Sequence, residues 1–224
     1  MISPLLSNLV LDQLDQELER RKHCFVRYAD DCNIYYVRSQ RAGERVKRSI
    51  ASFITRRLEL KLKINESKSA VARPAERKFL GFSISNAEEP KRRIAAKALL
   101  RFKRKVRELT GRTRGISLEA MTKELTSYLR GWKGYFGFCR TPSVLIFLDR
   151  WTRHRLRSAI WKQWKRGGLR FARLRAHGVS HALAAQTAGR AHGPWRIADS
   201  PAMSIAFPIA YFDSLGLPRL FAGT

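Results

Sequence analysis

Cys24-Phe25-Val26-Arg27-Tyr28-Ala29-Asp30-Asp31-Cys32-Asn33-Ile34-Tyr35-Tyr36-Val37 holds two short runs rich in β-forming residues, Cys24–Tyr28 and Cys32–Val37. Ala29, Asp30 and Asp31 lie between them, and the pattern predicts a β-hairpin with an acidic turn. Two adjacent carboxylates on a tight turn repel each other. A divalent cation offsets that repulsion, and a site built from oxygen ligands favours Mg2+. The plainer reading is a solvated Asp-Asp turn.

Working outward, Leu5, Leu6, Leu9, Val10, Leu14 and Leu18 recur at helical spacing. Ser3-Pro4 reads as a cap with proline at the first helical position, and Arg20-Arg21-Lys22 close the helix in accord with its dipole. Val46, Ile50, Phe53, Ile54 and Leu58 mark a second amphipathic helix. Leu60, Leu62 and Ile64 alternate as in a strand, Asn65–Ser69 reads as a turn, and Phe79–Ile84 as a short strand pair. The order α, β-turn-β, α, β, β predicts an α+β layer with helices on one face of an antiparallel sheet.

Near Ala87–Pro90 the texture changes. Leu99–Leu109 and Leu118–Leu129 read as helices, Thr110–Ser117 as a loop with Ser117 capping the next helix, and Val144–Lys165 as one long basic helix or two. Gly131–Phe138 interleaves aromatics with glycine, and beyond Gly167-Gly168 the chain reads as less regular, Ala- and His-bearing and then proline-rich. The expected organisation is 1–87, 88–166 and a basic extension over 167–224.

Charge separates these parts. The 224 residues carry 45 Lys+Arg against 18 Asp+Glu, a net of +27. Residues 1–89 hold 17 basic and 12 acidic residues, net +5, whereas residues 90–224 hold 28 and 6, net +22. A folded protein this basic meets a polyanion, with nucleic acid the first candidate and an anionic membrane surface the second. An apolar fraction of 44% excludes wholesale disorder. Cys24, Cys32 and Cys139 form no CxxC pair, which argues against a disulfide framework or zinc ribbon and fits a reducing cytosol. No apolar run is long enough to span a bilayer. His177 and His181 stand four residues apart without an evident third ligand, so zinc is not expected there.

Five stretches in order then resemble one family. Ile2-Ser3-Pro4-Leu5-Leu6-Ser7-Asn8 and Phe25-Val26-Arg27-Tyr28-Ala29-Asp30-Asp31 are similar to the palm of group II intron reverse transcriptases, the intron-encoded maturases. Leu62–Ser69 resembles their lysine-bearing palm motif, Phe79-Leu80-Gly81-Phe82 their primer-grip turn, and Tyr128–Phe136 their maturase thumb. The resemblance covers nearly the whole chain. It implies a partial palm of α+β type followed by an all-α thumb, and RNA-directed DNA polymerase and maturase activity with Mg2+ in a two-metal site.

Residue by residue, the resemblance makes Asp30 a metal ligand, with Asp31 beside it as the second acid. Tyr28 would pack under the primer terminus. Lys68 would stand near the incoming phosphates as charge or proton donor, and Phe79, Leu80, Gly81 and Phe82 would steady the primer. Taken alone, Lys68 is equally an ordinary surface lysine, and Phe79, Leu80 and Phe82 are equally core. In the basic part the expected nucleic-acid contacts are Arg101, Lys105, Arg130, Lys133, Arg153, Arg157 and Lys162. The tryptophans Trp151, Trp161 and Trp164 read either as stacking platforms or as core.

The expected partners are group II intron RNA, an RNA template with its DNA primer, and deoxynucleotide triphosphates, with no membrane and with homodimerisation open. The expected location is the bacterial cytoplasm, at the nucleoid. The family's fingers and third metal-binding aspartate precede the Ser-Pro-Leu-Leu motif, and this sequence begins inside that motif. The expectation is that the chain alone does not polymerise DNA and that residues 1–89 expose an apolar strip. No histidine and cysteine clusters follow, so endonuclease activity is not expected. A non-catalytic RNA-binding splicing cofactor is the alternative.

Overall fold

The computed structural model describes residues 3–35, 39–57 and 64–221, and the chain divides into two compact units, 1–88 and 89–224. The two helices and the hairpin predicted for the first unit are present. α1 runs Ser3–Arg20, β1 Cys24–Tyr28, β2 Asp31–Tyr35 and α2 Gln40–Arg57. α1 ends because Lys22 adopts a left-handed φ of 55°. Its amide then bonds the Glu19 carbonyl (2.8 Å) and the His23 amide the Leu18 carbonyl (3.0 Å), closing the helix with a Schellman pair.

β1 and β2 pair antiparallel with Cys24 opposite Tyr35, Val26 opposite Asn33 and Tyr28 opposite Asp31. Because side chains alternate across a strand, Phe25, Cys32 and Ile34 share the face that packs on Leu14, Leu18 and Ile50. The other face carries Val26, Tyr28 and Tyr35, all exposed, and Leu5 and Leu9 of α1 are exposed as well. The predicted strand residues Leu60 and Leu62 lie outside the described residues, as do Tyr36 and Val37, and Ile64 is in no regular element. Asn65–Ser69 is the predicted turn, with the amides of Lys68 and Ser69 both on the Asn65 carbonyl at 3.0 Å. A short 3-10 turn (Pro74–Glu76) leads to β3, Phe82–Ile84.

The second unit begins with β4 (Arg92–Ile94) and continues as helices: α3 Ala96–Leu109, α4 Leu118–Phe136 and α5 Pro142–Gln163. Ser117 caps α4 as expected, accepting from the Ala120 amide at 3.2 Å. α4 also runs on through Gly131 and Gly134 rather than stopping at Leu129. The reason is its buried stripe: Leu125, Leu129, Trp132 and Phe136 recur at spacings of four, three and four. Trp132 packs on Phe102 of α3 (4.6 Å between rings) and on Phe136 (4.8 Å), and this burial outweighs the roughly 1 kcal/mol per glycine that helix propensity costs.

Residues 167–221, which the pattern reads as less regular, are more ordered than expected. They form five short helices: α6 Gly167–Ala176, α7 His181–Ala188, α8 Pro194–Ile197, α9 Pro201–Ala206 and α10 Ile209–Ser214. Two of their prolines are helix starters: Pro194 and Pro201 stand in the first turn, where a missing N–H costs nothing. Leu174, Val179, Ala184, Met203, Phe207, Phe212, Leu217 and Leu220 are buried, so the expected extension contributes to the core of the 89–224 unit. Taken together the chain is α+β, mostly helical with small antiparallel strands. No helix among the described residues is long and apolar enough to cross a membrane.

Candidate catalytic turn and nucleic-acid interface

Tyr28 pairs with Asp31, so the hairpin loop consists of two residues, Ala29 and Asp30. Asp31 therefore opens β2 rather than sitting in the turn, which corrects the predicted start of that strand at Cys32. Its side chain shares the open face of the hairpin with Tyr28, which is 64% exposed. Ala29 carries a φ of 52°, a left-handed conformation that disfavours residues with a Cβ. Asp30 and Asp31 are exposed, and neither carboxylate makes a hydrogen bond or ion pair among the described residues.

Arg27 holds this strained tip in place. Its Nε donates to Asp15 Oδ1 at 2.8 Å and one terminal nitrogen to Asp15 Oδ2 at 2.5 Å. Its other terminal nitrogen donates to Asn8 Oδ1 and to the Ala29 carbonyl, each at 3.0 Å. One guanidinium thus ties α1 to the backbone of the turn. The Asp15 carboxylate pushes the Arg27 pKa above its ordinary value, against the opposing effect of burial. Sequence reasoning missed this clamp. The signal was present: Arg27 shares strand parity with Phe25, which turns it toward α1, and an inward arginine requires a carboxylate.

Lys68 is exposed in its turn, and its carbonyl accepts from Arg77 at 2.5 Å. No hydrogen bond or ion pair joins it to Asp30 or Asp31 among the described residues. Phe79 and Phe82 exchange both backbone bonds at 2.9 Å across Leu80 (φ 50°) and Gly81 (φ 78°). Positive φ at both central positions makes this a two-residue turn of the hairpin-forming type I′. Glycine suits that geometry and Leu80 does not, so the backbone is strained at Leu80.

Among the described residues no group of three or more His, Cys, Asp or Glu side chains is arranged to hold a metal ion. The tip does supply two hard oxygen donors in an open position. Mg2+ commonly takes one or two carboxylates, keeps several waters and shares substrate phosphates, and Asp30 with Asp31 fits that donor set.

The predicted nucleic-acid residues of the second unit fall into two sets. Arg101, Arg130 and Lys162 are exposed, Lys133 is half-buried, and Lys105 pairs with Glu108 at 2.6 Å. Arg153 and Arg157 are different, because both guanidiniums are engaged within the unit. Arg153 is 4% exposed and is met by Asp149 (3.1 Å) and Asp213 (3.5 Å). Arg157 directs Nε (3.0 Å) and a terminal nitrogen (2.7 Å) to the Phe207 carbonyl. Both guanidiniums bind the C-terminal segment to α5; Asp149 stands four residues from Arg153, but Asp213 and Phe207 lie 60 and 50 residues away, beyond the reach of a local pattern.

The Asp149 carboxylate also accepts the Leu220 amide at 3.1 Å. The carboxyl of Asp213 is held below its usual pKa, first by Arg219 and then by Arg153. Trp161 and Trp164 are core, whereas Trp151 is half-buried. His177 follows α6 while His181 begins α7, so their four-residue spacing does not lie on one helix; His177 stacks on Phe207 and His181 on Phe171.

Comparison with known families gives two matches in order along the chain. Residues 1–84 match the reverse transcriptase (RNA-dependent DNA polymerase) family, and residues 99–178 match the group II intron, maturase-specific domain. No curated protein matches the chain.

Proposed function

Because this chain belongs to the group II intron reverse transcriptases/maturases, we propose that the tip at Asp30 and Asp31 is the metal-binding turn of a palm over residues 1–87. On the same reading residues 88–166 are the thumb and 167–224 its basic extension, which together grip intron RNA. The observation that carries the reading is the placement of the two aspartates: exposed, unbonded, and mounted on a two-residue turn that Arg27 clamps to α1.

Asp30 and Asp31 would hold Mg2+, which when bound aligns a 3′-hydroxyl with a nucleoside triphosphate for in-line attack. The work of the chain's own groups is orientation. Tyr28, on the same face as Asp31, would support the primer end, and Arg27 would fix the turn so that the carboxylates need not reorganise. The turn through Phe79, Leu80, Gly81 and Phe82 would steady the primer backbone. Lys68 Nζ would offer its charge, or its proton, to the departing phosphate. RNA template, DNA primer and deoxynucleotide triphosphates are the corresponding substrates.

A second reading, an RNA-binding splicing cofactor without polymerase chemistry, is favoured by the concentration of charge at +22 over residues 90–224. Titration with Mn2+, an oxygen-seeking substitute for Mg2+ visible by electron paramagnetic resonance, separates the two. In the presence of an RNA–DNA primer duplex, Mn2+ is expected to bind the chain and to be lost with Asp30→Ala/Asp31→Ala while intron RNA binding persists. Equal Mn2+ binding by both proteins would leave only the cofactor reading.

A further inference from the structure

α5 treats its positive charges in two opposite ways. Arg153 points inward and is met by two carboxylates. Arg155, two residues on, is met by none among the described residues. Its Nε donates to Thr110 Oγ1 at 2.7 Å, and a terminal nitrogen reaches the carbonyls of Thr110 (3.4 Å) and Arg107 (3.5 Å), all neutral acceptors.

Around Arg155 the cations converge on one indole. Arg107 lies 5.5 Å from the Trp151 ring, Arg155 5.6 Å and Lys103 6.0 Å. Lys103 also stands 4.9 Å over Phe147, which is 52% exposed. Burial, and then the charges of Arg107 and Arg112, push the Arg155 pKa below its ordinary value. Among the described residues, no carboxylate forms an ion pair with Lys103, Arg107, Arg112 or Arg155. Like charges gathered without a counter-ion destabilise the fold, and an anion bound from outside relieves that repulsion.

We propose that Lys103, Arg107, Trp151 and Arg155, with Phe147 at their edge, form a seat for single-stranded RNA: a phosphodiester among the cations and an unpaired base against Phe147. The inference rests on the reading of this unit as RNA-binding and names the site and the form of RNA it takes. Phosphate suits the cations because charge-assisted hydrogen bonds from guanidinium and ammonium are the strong ones. The aromatic edge selects for a single strand. A base inside a duplex has no free face, whereas an unpaired base stacks on an exposed ring whatever its identity. Lys103, Arg107 and Phe147 are not among the residues that the sequence pattern singles out as nucleic-acid contacts; the seat joins them to Trp151 and Arg155 because α3 and α5 come together.

The test is fluorescence anisotropy with the full chain, a labelled uridine oligomer of about 12 nucleotides, and an RNA duplex of the same length, over a range of KCl. Lys103→Ala/Arg107→Ala is expected to raise the Kd for the oligomer about tenfold and to reduce its salt slope by about 0.7 for each phosphate that the variant no longer neutralises. Phe147→Ala is expected to raise the Kd at least threefold with an unchanged salt slope, and to have no effect on the duplex. Arg41→Ala/Arg45→Ala removes equal exposed charge from α2 of the 1–88 unit and is expected to change the Kd less than twofold. Lys103→Gln/Arg107→Gln repeats the measurement with side-chain bulk retained should the alanine pair fold poorly.

If wild type binds the oligomer but the Lys103/Arg107 variants weaken it no more than Arg41→Ala/Arg45→Ala, the seat is overturned and RNA binding stands. A Phe147→Ala protein with wild-type affinity, or one that loses duplex binding equally, overturns the single-strand assignment. Failure of the wild-type chain to bind either RNA removes the RNA-binding reading itself.

Discussion

The two compact units solve the problem of charge and core in contrasting ways. In residues 1–88 the described buried apolar side chains are Leu14, Leu18, Ala42 and Ile50, and one face of the hairpin is left open. In residues 89–224 they run from Ile94 to Leu220 and include Phe102, Trp161, Phe207 and Phe212. The nearly balanced unit holds its acidic tip with a surface-linked arginine clamp, whereas the strongly basic unit buries Arg153 between two aspartates and leaves Arg155 uncompensated. The difference teaches that high net charge is not spread evenly as solvated surface. Part of it is internal structure, and part is gathered where, among the described residues, no carboxylate meets it.

The largest expected effect breaks the weaker core. Leu18→Ala removes a fully buried side chain from a cluster of three, a loss of about 2–5 kcal/mol. It is expected to abolish cooperative unfolding of the first unit while the transition of the second stays in place, read by hydrogen exchange across both units. A wild-type transition in the first unit would show that its core is larger than Leu14, Leu18 and Ile50.

The next sharpens the contrast between the arginines of α5. Arg153→Ala leaves Asp149 and Asp213 without their shared cation, and removing one member of a buried pair costs about 3 kcal/mol. Loss of the C-terminal segment's protection from exchange is the expected signature; a cost below about 1 kcal/mol would mean that the pair is no better than a surface ion pair.

The smallest effect is a pH dependence. Burial lowers the His154 pKa below the ordinary histidine value of 6.5, opposed by Asp199 at 3.9 Å and aided by Arg157 and Arg155. The unfolded chain therefore binds a proton near that value while the folded unit still resists it. The stabilising contribution is present above pH 6.5 and declines as pH falls through the lower folded-state pKa. The thermal midpoint of the second unit is expected to fall by a few degrees between pH 7.5 and pH 5, less so in His154→Phe. An identical slope in both proteins would exclude His154 as its source.

Periodicity and composition made much of this legible. The hairpin, helix α1 and the Ser117 cap rest on local spacing and are present, although β2 begins one residue early and Leu5 and Leu9 of the α1 stripe are exposed; the imbalance of charge rests on composition. What escaped rests on distant partners. Helix α4 passes Leu129 because Trp132 and Phe136 reach Phe102, and the proline-rich tail is helical because α5 offers it Asp149, Arg153 and Arg157. At the candidate site, the adjacency of Asp30 and Asp31 is written in the chain, but their support by Arg27, Asp15 and Asn8 is not, since it spans α1 and β1.

The sequence by itself determined the family, the acidic tip and the sign of the partner, because motif order and charge are properties of the chain. Only the tertiary structure decided which arginines are internal and which are gathered round Trp151. A guanidinium's role depends on whether a carboxylate shares its space, and that is settled when α3, α5 and the tail come together.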